Sequence, residues 1–234
     1  MRLAISGTAA QGKSTLLKSF LEHWDMYTTP KESYRDILPK DNHSKDTNKE
    51  TQWNILNHMI DNMQGYSDTD HIIFDRCPID NLVHSMWAFH KNVGDIDELF
   101  VEKCIPIVRE SMKMLDIVLI IPITNVAQND IEDDGVRETD AEFISEIDNF
   151  FKAMYSSWAK DDERFFPKED RAALIEIFGT TEERIKMLEF YLNDKGNMFG
   201  EDETLVDASS IYDEFGMPVP DLSEKGDVDF NIYK

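Results

Sequence analysis

The stretch L-A-I-S-G-T-A-A-Q-G-K-S-T-L-L-K-S-F, residues 3–20, decides the fold. It begins with a short apolar run, passes through a segment that contains two glycines, and continues with apolar residues spaced three and four positions apart. The first part predicts a buried strand, and the last predicts an amphipathic helix that begins at Lys13. Between them, residues 7–14 satisfy the pattern G-x-x-x-x-G-K-[ST] in full. The sequence therefore predicts a phosphate-binding loop between a strand and a helix.

The residue types of this loop suit the phosphates of ATP or GTP. Gly7 and Gly12 allow backbone angles and a close approach that a Cβ atom would prevent, so that successive N–H groups can point at a phosphate. Lys13 is expected to bridge the β- and γ-phosphates, and Ser14 is the expected ligand of Mg²⁺. A chance glycine-rich turn is the alternative, and the order of strand, loop, Lys-Ser and helix disfavours it. The residues expected to bind the nucleotide are Gly7, Thr8, Ala9, Ala10, Gln11, Gly12, Lys13, Ser14 and Thr15.

The rest of the chain alternates between apolar, β-branched runs and segments of helical periodicity. Strands are predicted at residues 3–6, 71–75, 117–121 and 174–178. Helices are predicted at residues 13–24, 49–63, 79–90, 97–114 and 140–158. Thr180 and Glu183 have the spacing of a capping box, which predicts a last helix that runs to about Leu192. This alternation predicts an α/β fold with a parallel sheet covered by helices on both faces.

The domain boundary is predicted near residue 194. Residues 1–194 are expected to form the P-loop domain, and residues 195–234 an acidic C-terminal extension with a short strand around 204–206. A chain of 234 residues has room for one such domain with an appendage.

Net charge and apolar runs limit the classes of partner. The chain carries 47 Asp and Glu against 24 Lys and Arg, and its net charge of −23 disfavours non-specific binding to nucleic acid. The longest apolar run, residues 117–123, is too short to span a bilayer, so no membrane partner is expected. Cys77 and Cys104 do not have the spacing of a zinc site or a disulfide framework. The expected location is a reducing cytoplasm, that of the host if a phage encodes the protein.

The second predicted strand, H-I-I-F-D, ends in Asp75 and is followed by Arg76. A motor or AAA-type ATPase usually carries Asp-Glu at this point, and a switch GTPase would carry Asn-Lys-x-Asp, so both classes are disfavoured. Asp75-Arg76 favours a phosphotransferase, in which Asp75 holds magnesium or accepts the proton of the acceptor hydroxyl. Arg76 would clamp the acceptor or the transferring phosphoryl group. The alternative is an Asp that caps the next helix beside a surface arginine.

These motifs resemble the small nucleoside and nucleotide kinases, a family that includes thymidylate kinase and the deoxyribonucleoside kinases. The resemblance rests on G-T-A-A-Q-G-K-S-T at residues 7–15, on F-D-R-C-P-I-D at residues 74–80, and on a lid-like segment around Arg137. It covers roughly the first 190 residues, and only the loop motif is highly specific. The resemblance implies a five-stranded parallel sheet, ATP with Mg²⁺, and a nucleoside-like acceptor.

The lid-like segment, residues 132–140, reads E-D-D-G-V-R-E-T-D. In the family, this connection closes over ATP and carries arginines that neutralise the transferring phosphoryl group. Arg137 matches that pattern, whereas the usual companion arginines are missing. A solvated acidic loop is an equally good interpretation.

The acceptor side is less specific. The resemblance places acceptor residues just beyond a second strand, at Lys31, Glu32, Tyr34 and Arg35. Glu32 could act as a base and Arg35 as a phosphate clamp, although solvated loop charges are the more common case. On the helix after Asp75, Trp87 could stack on an acceptor base, but a core role is the better expectation. His84, on the same face, shows no metal partner.

A narrower resemblance is to bacteriophage kinases that phosphorylate the hydroxymethyl group of 5-hydroxymethyldeoxyuridine (5-hmdU) within DNA during thymine hypermodification. It rests on G-T-A-x-Q-G-K and on D-R-C-P-x-D-N. A base flipped into the pocket would present a nucleotide-like hydroxyl, whereas the net charge confines DNA contacts to a small basic patch. The alternatives are a kinase for free deoxynucleosides, nucleoside monophosphates or a nicotinamide riboside-like acceptor, and a regulatory P-loop ATPase. The oligomeric state is left open.

The expected catalytic residues are Lys13, Asp75, Arg76 and Arg137, and the expected magnesium ligands are Ser14 and Asp75. In this interpretation Lys13 and magnesium offset the phosphate charge, Asp75 assists the acceptor, and the two arginines stabilise the transition state.

Overall fold

Four parallel strands form the central sheet of the computed structural model, which describes residues 1–31, 47–67, 70–124, 140–160, 163–169 and 171–199. The strands are β1 (Arg2–Ser6), β2 (Ile72–Asp75), β3 (Ile117–Ile120) and β4 (Ala173–Glu176). Their order is β2-β1-β3-β4, and Ile5 pairs with Asp75 on one side and with Leu119 on the other. Since the order reverses at β1, the carboxyl ends of β1, β2 and β3 border the crevice where such sheets bind ligands.

The implied fifth strand is wrong for the described residues, which contain four. Thr28 lies beyond β2 and forms one isolated parallel bridge with Ile72. Its N–H donates to the His71 carbonyl at 3.0 Å, and its carbonyl accepts from Ile73 at 2.9 Å. Pro30 follows two residues later and has no N–H to continue a ladder, which accounts for a bridge in place of a strand.

Six α-helices and one 3₁₀ turn surround the sheet in the described residues. The helices are α1 (Lys13–His23), α2 (Lys49–Gln64), α3 (Pro78–Lys91), α4 (Glu98–Ser111), α5 (Ala141–Ala159) and α6 (Thr181–Leu188), and the 3₁₀ turn is Met112–Met114. Side chains cap several of them: Asn48 accepts from Thr51 N at 2.8 Å, and Asp97 accepts from Phe100 N at 3.0 Å. These positions confirm the predicted helices to within a few residues at each end.

The last helix confirms the predicted capping box but is shorter than predicted. Thr180 accepts from Glu183 N at 3.3 Å, and the Glu183 carboxylate accepts from Thr180 N at 2.8 Å. The helix ends at Leu188, where Tyr191 N donates back to the Leu188 carbonyl at 2.9 Å. Such a tightened last turn satisfies a terminal carbonyl without extending the helix to Leu192.

Helices cover both faces of the sheet, as predicted for parallel strands. Every residue of β1 is buried. Ala4, Phe74 and Val118 belong to one apolar cluster with side chains of α2, α3, α4 and α5. Leu3 and Ile5 point to the opposite face because side chains alternate along a strand, and α1 packs on that part of the sheet and against α6. This confirms the α/β class.

The chain divides into two units, Met1–Gly196 and Asn197–Lys234. All the helices and strands given above belong to the first unit. The acidic extension and the strand predicted around residues 204–206 lie outside the described residues. Cys77 and Cys104 are both buried and unpaired with each other. No helix in the described ranges is long and apolar enough to cross a membrane.

Candidate active site

The loop between β1 and α1 has the backbone that its glycines predict. Gly7 has φ of 137°, and a Cβ atom there would lie 2.6 Å from the Ile121 carbonyl oxygen. Gly12 has φ of 70° and is the N-cap of α1. Gly7 therefore requires glycine, because β1 approaches the end of β3, and the left-handed conformation of Gly12 favours glycine.

Lys13 folds back into the loop. It is buried, and its ammonium donates to the carbonyls of Gly7, at 2.8 Å, and of Thr8. Ser14 and Thr15 are exposed on the first turn of α1, which carries no acidic residue. A helix N-terminus without a local carboxylate keeps its favourable interaction with an anion. The loop thus brings together an ammonium, the N–H groups of a helix start and two hydroxyls, a set of donors that suits a polyphosphate.

The strand end of the loop, Ser6 and Gly7, is held by the buried carboxylate of Asp80. One oxygen of Asp80 accepts from the Ser6 hydroxyl at 2.8 Å and from Cys77 N at 3.2 Å. The other accepts from the Arg76 guanidinium at 3.0 Å and from Gly7 N at 3.4 Å. Asp80 is 1% exposed and Arg76 8%, so this is a buried ion pair with several supporting hydrogen bonds.

Local sequence explains how Asp80 reaches this position. Cys77 is the N-cap of α3, Pro78 is its first residue, and Asp80 at the third position returns to the cap backbone as in a capping box. Arg76 adopts a left-handed φ of 82°, and its N–H donates to the Ile5 carbonyl at 2.9 Å. The backbone bond and the Asp80 ion pair together hold Arg76 in a conformation that a non-glycine residue rarely adopts.

Helix α5 also holds the strand end of the loop. The Tyr155 hydroxyl donates to the Ser6 hydroxyl at 2.5 Å, and the Thr8 hydroxyl donates to the Ile144 carbonyl at 3.0 Å. Burial raises the pKa of the Tyr155 phenol well above its usual range, with smaller contributions from Cys77 and Asp80. Tyr155 therefore remains a protonated donor. Asp80 of α3 and Tyr155 of α5 both bond to Ser6, so two helices that are distant in sequence hold the beginning of the loop.

Asp75 differs from its neighbour Arg76. It is the last residue of β2, it is half-buried, and its carboxylate has no hydrogen-bond or ion-pair partner among the described residues. Helix α3 begins at the Cys77 cap, and Arg76 is buried, so the alternative of a capping Asp beside a surface arginine is wrong. Asp75 pairs with Ile5 of β1, which lies two residues before the loop begins. Its carboxylate is therefore available close to the start of the loop.

The helix end of the loop, Gln11 and Gly12, is held from α6. The Arg184 guanidinium donates to the Gln11 carbonyl at 2.7 Å across 173 residues of sequence, and Arg184 is 3% exposed. Sequence reasoning missed both Arg184 and the role of Asp80. The capping boxes of α6 and α3 were the available signals, since each places its residue near a helix start that faces the carboxyl edge of the sheet.

Of the remaining candidate residues, the structure describes Trp87, His84 and Lys31. Trp87 is 6% exposed, packs edge-on against Phe143 at 4.6 Å and donates to Glu146 at 2.9 Å, which confirms its core role. His84 is half-buried, and burial, followed by the charges of Arg76 and Lys13, lowers its pKa to about 3. Lys31 is exposed. The candidates Glu32, Tyr34, Arg35 and Arg137, with the lid-like segment, lie outside the described residues.

The expected magnesium ligands fit that ion chemically. Ser14 supplies a hydroxyl oxygen at the helix start, and Asp75 supplies a carboxylate with no other partner in the described part of the chain. No group of three or more His, Cys, Asp or Glu side chains in the described ranges could hold a metal ion alone. Magnesium in phosphate sites takes one or two protein ligands together with substrate phosphates and water, so two oxygen ligands meet the need.

Comparison with known proteins gives a family and a fold. The sequence model of a family described as AAA domain matches residues 2–184. No curated protein sequence matches the chain significantly. Deoxyadenosine kinase from M. mycoides with the products dCMP and a flexible dCDP bound is similar in structure, with 19% identity, a TM-score of 0.56, and coverage of 80% of this chain and 96% of that chain.

Two further structures are similar. The NadR protein in complex with NR has 15% identity and a TM-score of 0.51 over 94% of this chain, which covers 53% of that protein. Thymidylate kinase from Candida albicans has 13% identity and a TM-score of 0.50, with 80% of this chain and 88% of that chain covered. At these identities the likeness concerns the fold, and it confirms the α/β P-loop fold with its flanked parallel sheet.

Proposed function

We propose, because the chain belongs to the AAA domain family, that its loop binds ATP with Mg²⁺ and that the protein transfers the γ-phosphoryl group to a nucleoside-type acceptor. The family match covers the loop and the strand end Asp75-Arg76, where the Asp-Glu pair usual in a motor or AAA-type ATPase is missing. The strand end Asp75-Arg76 thus occurs within the AAA domain family. The family match does not specify a reaction, so the reaction is proposed from the residues of this site.

The available carboxylate of Asp75 carries the proposal. A hydrolytic site needs a group that orients water, usually an acid after the strand-terminal Asp, and here that position holds Arg76, buried and paired with Asp80. Asp75 lies at the carboxyl end of β2, half-buried and without a partner among the described residues. A carboxylate so placed can accept the proton of an acceptor hydroxyl.

The loop residues would supply positioning and charge. Lys13 would exchange its bonds to the Gly7 and Thr8 carbonyls for phosphate oxygens. Arg76, held by Asp80, is proposed to stabilise the phosphoryl group in the transition state through its guanidinium. Arg137, in the undescribed lid-like segment, is proposed as the arginine that closes over the phosphoryl group. Magnesium held through Ser14 would supply further charge neutralisation and leave Asp75 available to the acceptor.

The leading acceptor is the hydroxymethyl group of 5-hmdU in phage DNA. The motifs G-T-A-x-Q-G-K and D-R-C-P-x-D-N support it. The net charge of −23 requires DNA contacts to be few and local. Free deoxynucleosides and nucleoside monophosphates are the alternative acceptors, and the names of the deoxyadenosine and thymidylate kinases of similar fold are in keeping with a nucleoside-type acceptor. A nicotinamide riboside-like acceptor is a further alternative.

A regulatory P-loop ATPase is the second candidate function. The match to a family described as AAA domain supports it, because that description names neither a kinase nor an acceptor. In that case ATP turnover would be slow and would not depend on an acceptor.

The test is transfer of label from γ-labelled ATP with magnesium. Deoxynucleosides, their monophosphates, nicotinamide riboside, and DNA with either thymine or 5-hydroxymethyluracil would be offered in parallel, with the Lys13→Ala protein as the blank. We expect label in the 5-hydroxymethyluracil DNA and none in the thymine DNA. Label in a free nucleoside or nucleotide would support a kinase and reject the DNA acceptor. Release of inorganic phosphate alone, at a rate unaffected by any acceptor, would replace the kinase by the ATPase.

A further inference from the structure

Arg184 is a buried cation at the helix end of the loop. Its guanidinium donates to the Gln11 carbonyl at 2.7 Å, and the residue is 3% exposed. Its Nε has no hydrogen-bond partner, and burial alone lowers the pKa of Arg184, with no contribution from a neighbouring carboxylate in the described part of the chain. Arg76, at the strand end, is equally buried but is paired with Asp80. Among the described residues, Arg76 therefore has a counter-charge and Arg184 does not.

A buried charge without a counter-charge is unfavourable in the protein alone. Arginine keeps its proton, so burial cannot be relieved by neutralisation. Buried charges are normally paired, because the loss of hydration costs several kcal/mol per ion, on the order of the stability of a small domain. The bond to one carbonyl offsets only part of that cost, and the unsatisfied Nε adds to it. A negatively charged ligand bound nearby would supply a counter-charge and offset the remaining cost.

The bond to Gln11 also fixes a phosphate donor. A trans peptide unit is planar, so the Gln11 carbonyl and the Gly12 N–H point in opposite directions. Arg184 holds the carbonyl and thereby aims the Gly12 N–H away from α6. Gly12 is the N-cap of α1, where N–H groups are available to bind an anion.

We propose that Arg184 is a positioning residue for the nucleotide, which orients the Gly12 N–H through the Gln11 carbonyl and whose buried positive charge is compensated when the polyphosphate binds. Coupling free energies are reciprocal, so the bound polyphosphate lowers the free energy of the buried Arg184 charge by the same amount as Arg184 strengthens polyphosphate binding. The inference rests on the nucleotide-binding part of the proposed function and does not depend on the identity of the acceptor.

The test compares Arg184→Met with Lys186→Met. Both variants remove one positive charge from α6 and keep an unbranched apolar chain, but Lys186 is exposed to solvent. Arg184→Lys is the third variant, since it keeps the charge but not the planar donor. Titration calorimetry with magnesium–ATP gives the affinity, and thermal unfolding without nucleotide gives the stability of the protein alone.

We expect Arg184→Met to weaken ATP binding about tenfold, the effect of one hydrogen bond to a charged group, with Arg184→Lys between it and wild type. Lys186→Met should bind ATP as wild type does. Without nucleotide, Arg184→Met should melt no lower than wild type, because the removal of a buried charge with no counter-charge among the described residues offsets the loss of the bond to Gln11. The unfolding temperature therefore separates this role from a structural one.

Two results would overturn the inference alone. The first is ATP binding by Arg184→Met with the wild-type affinity. The second is a lower unfolding temperature of Arg184→Met than of wild type without nucleotide, which would make Arg184 a structural residue whatever its effect on ATP affinity. If the wild-type protein binds no ATP, the proposed function fails, and the inference fails with it.

Discussion

At the strand end of the phosphate-binding loop, Arg76 is buried against the carboxylate of Asp80, and Ser6, Gly7 and Cys77 add hydrogen bonds to that carboxylate. At the helix end, Arg184 is buried against a main-chain carbonyl. The first arrangement is complete within the protein. The second contains a positive charge that an anionic ligand would balance.

This difference separates two tasks in the same loop. The strand end must be rigid because it connects β1, β2 and α3, and it also sets the position of Asp75 at the end of β2. The helix end must respond to the nucleotide. Substitutions at the strand end should therefore change stability or catalysis, whereas substitutions at the helix end should mainly change nucleotide binding and turnover.

Loss of Asp80 should have the largest effect. Asp80→Ala leaves the buried Arg76 without its counter-charge, and we expect the free energy of unfolding, measured with urea, to fall by about 3–5 kcal/mol. The double variant Asp80→Ala with Arg76→Met should recover part of this loss, because the isolated charge is removed as well. A loss below about 1 kcal/mol, the value of an exposed ion pair, would mean that the two ends of the loop do not differ in this way.

Loss of Lys13 should remove turnover and leave the fold intact. In Lys13→Ala the phosphates lose a preorganised positive charge, and we expect the rate to fall about a thousandfold with an unchanged circular dichroism spectrum. Lys18→Ala is the matched control, because Lys18 lies on the same helix with an exposed side chain. An unfolded Lys13→Ala protein would show instead that the bonds of Lys13 to Gly7 and Thr8 are structural.

Replacement of Asp75 should separate binding from transfer. Asp75→Asn keeps the shape of the side chain but removes its ability to accept a proton, so we expect transfer to fall about a hundredfold while ATP binding stays within a few-fold of wild type. Asp61→Asn, an exposed position on α2, is the control for loss of one negative charge. Transfer at the normal rate by Asp75→Asn would remove Asp75 from the mechanism.

The smallest effect concerns pH. His84 has a pKa of about 3 in the folded protein, against an ordinary value of 6.5, because of burial and the charges of Arg76 and Lys13. As pH falls from 6.5 towards 3, the unfolded chain gains a proton at this site that the folded protein does not, so His84 contributes to a loss of stability over this range. His84→Gln should flatten the decline of the urea midpoint between pH 6.5 and pH 4. An identical decline in both proteins would show that His84 titrates normally.

The motif residues and most elements follow from local sequence. The loop from Gly7 to Ser14, the strand ending in Asp75 and the capping box at Thr180 are patterns within a few residues, and the backbone dihedrals and hydrogen bonds in the structure agree with them. The exception is the number of strands. The resemblance implied five, whereas Pro30 limits the edge to a single bridge at Thr28 in the described residues.

Two residues of the site could not be found in that way. Asp80 reads locally as a helix cap, and its bonds to Ser6 and Gly7 span 74 and 73 residues. In the local sequence, Arg184 is one of several charged residues of α6, and its contact with Gln11 spans 173 residues. The capping boxes mark where the two helices begin, but they do not show which distant residue Asp80 or Arg184 contacts.

The sequence alone determined that this chain has a phosphate-binding loop in an α/β fold, because glycine dihedrals, helix capping and apolar periodicity act between near neighbours. Only the tertiary structure decided which charges are buried beside that loop. The carboxyl ends of the parallel strands lie along one edge of the sheet, where β2 leads into α3 and β4 leads into α6. At that edge Asp80 and Arg184, which the local sequence shows only as helix charges, are buried and hold the two ends of the loop.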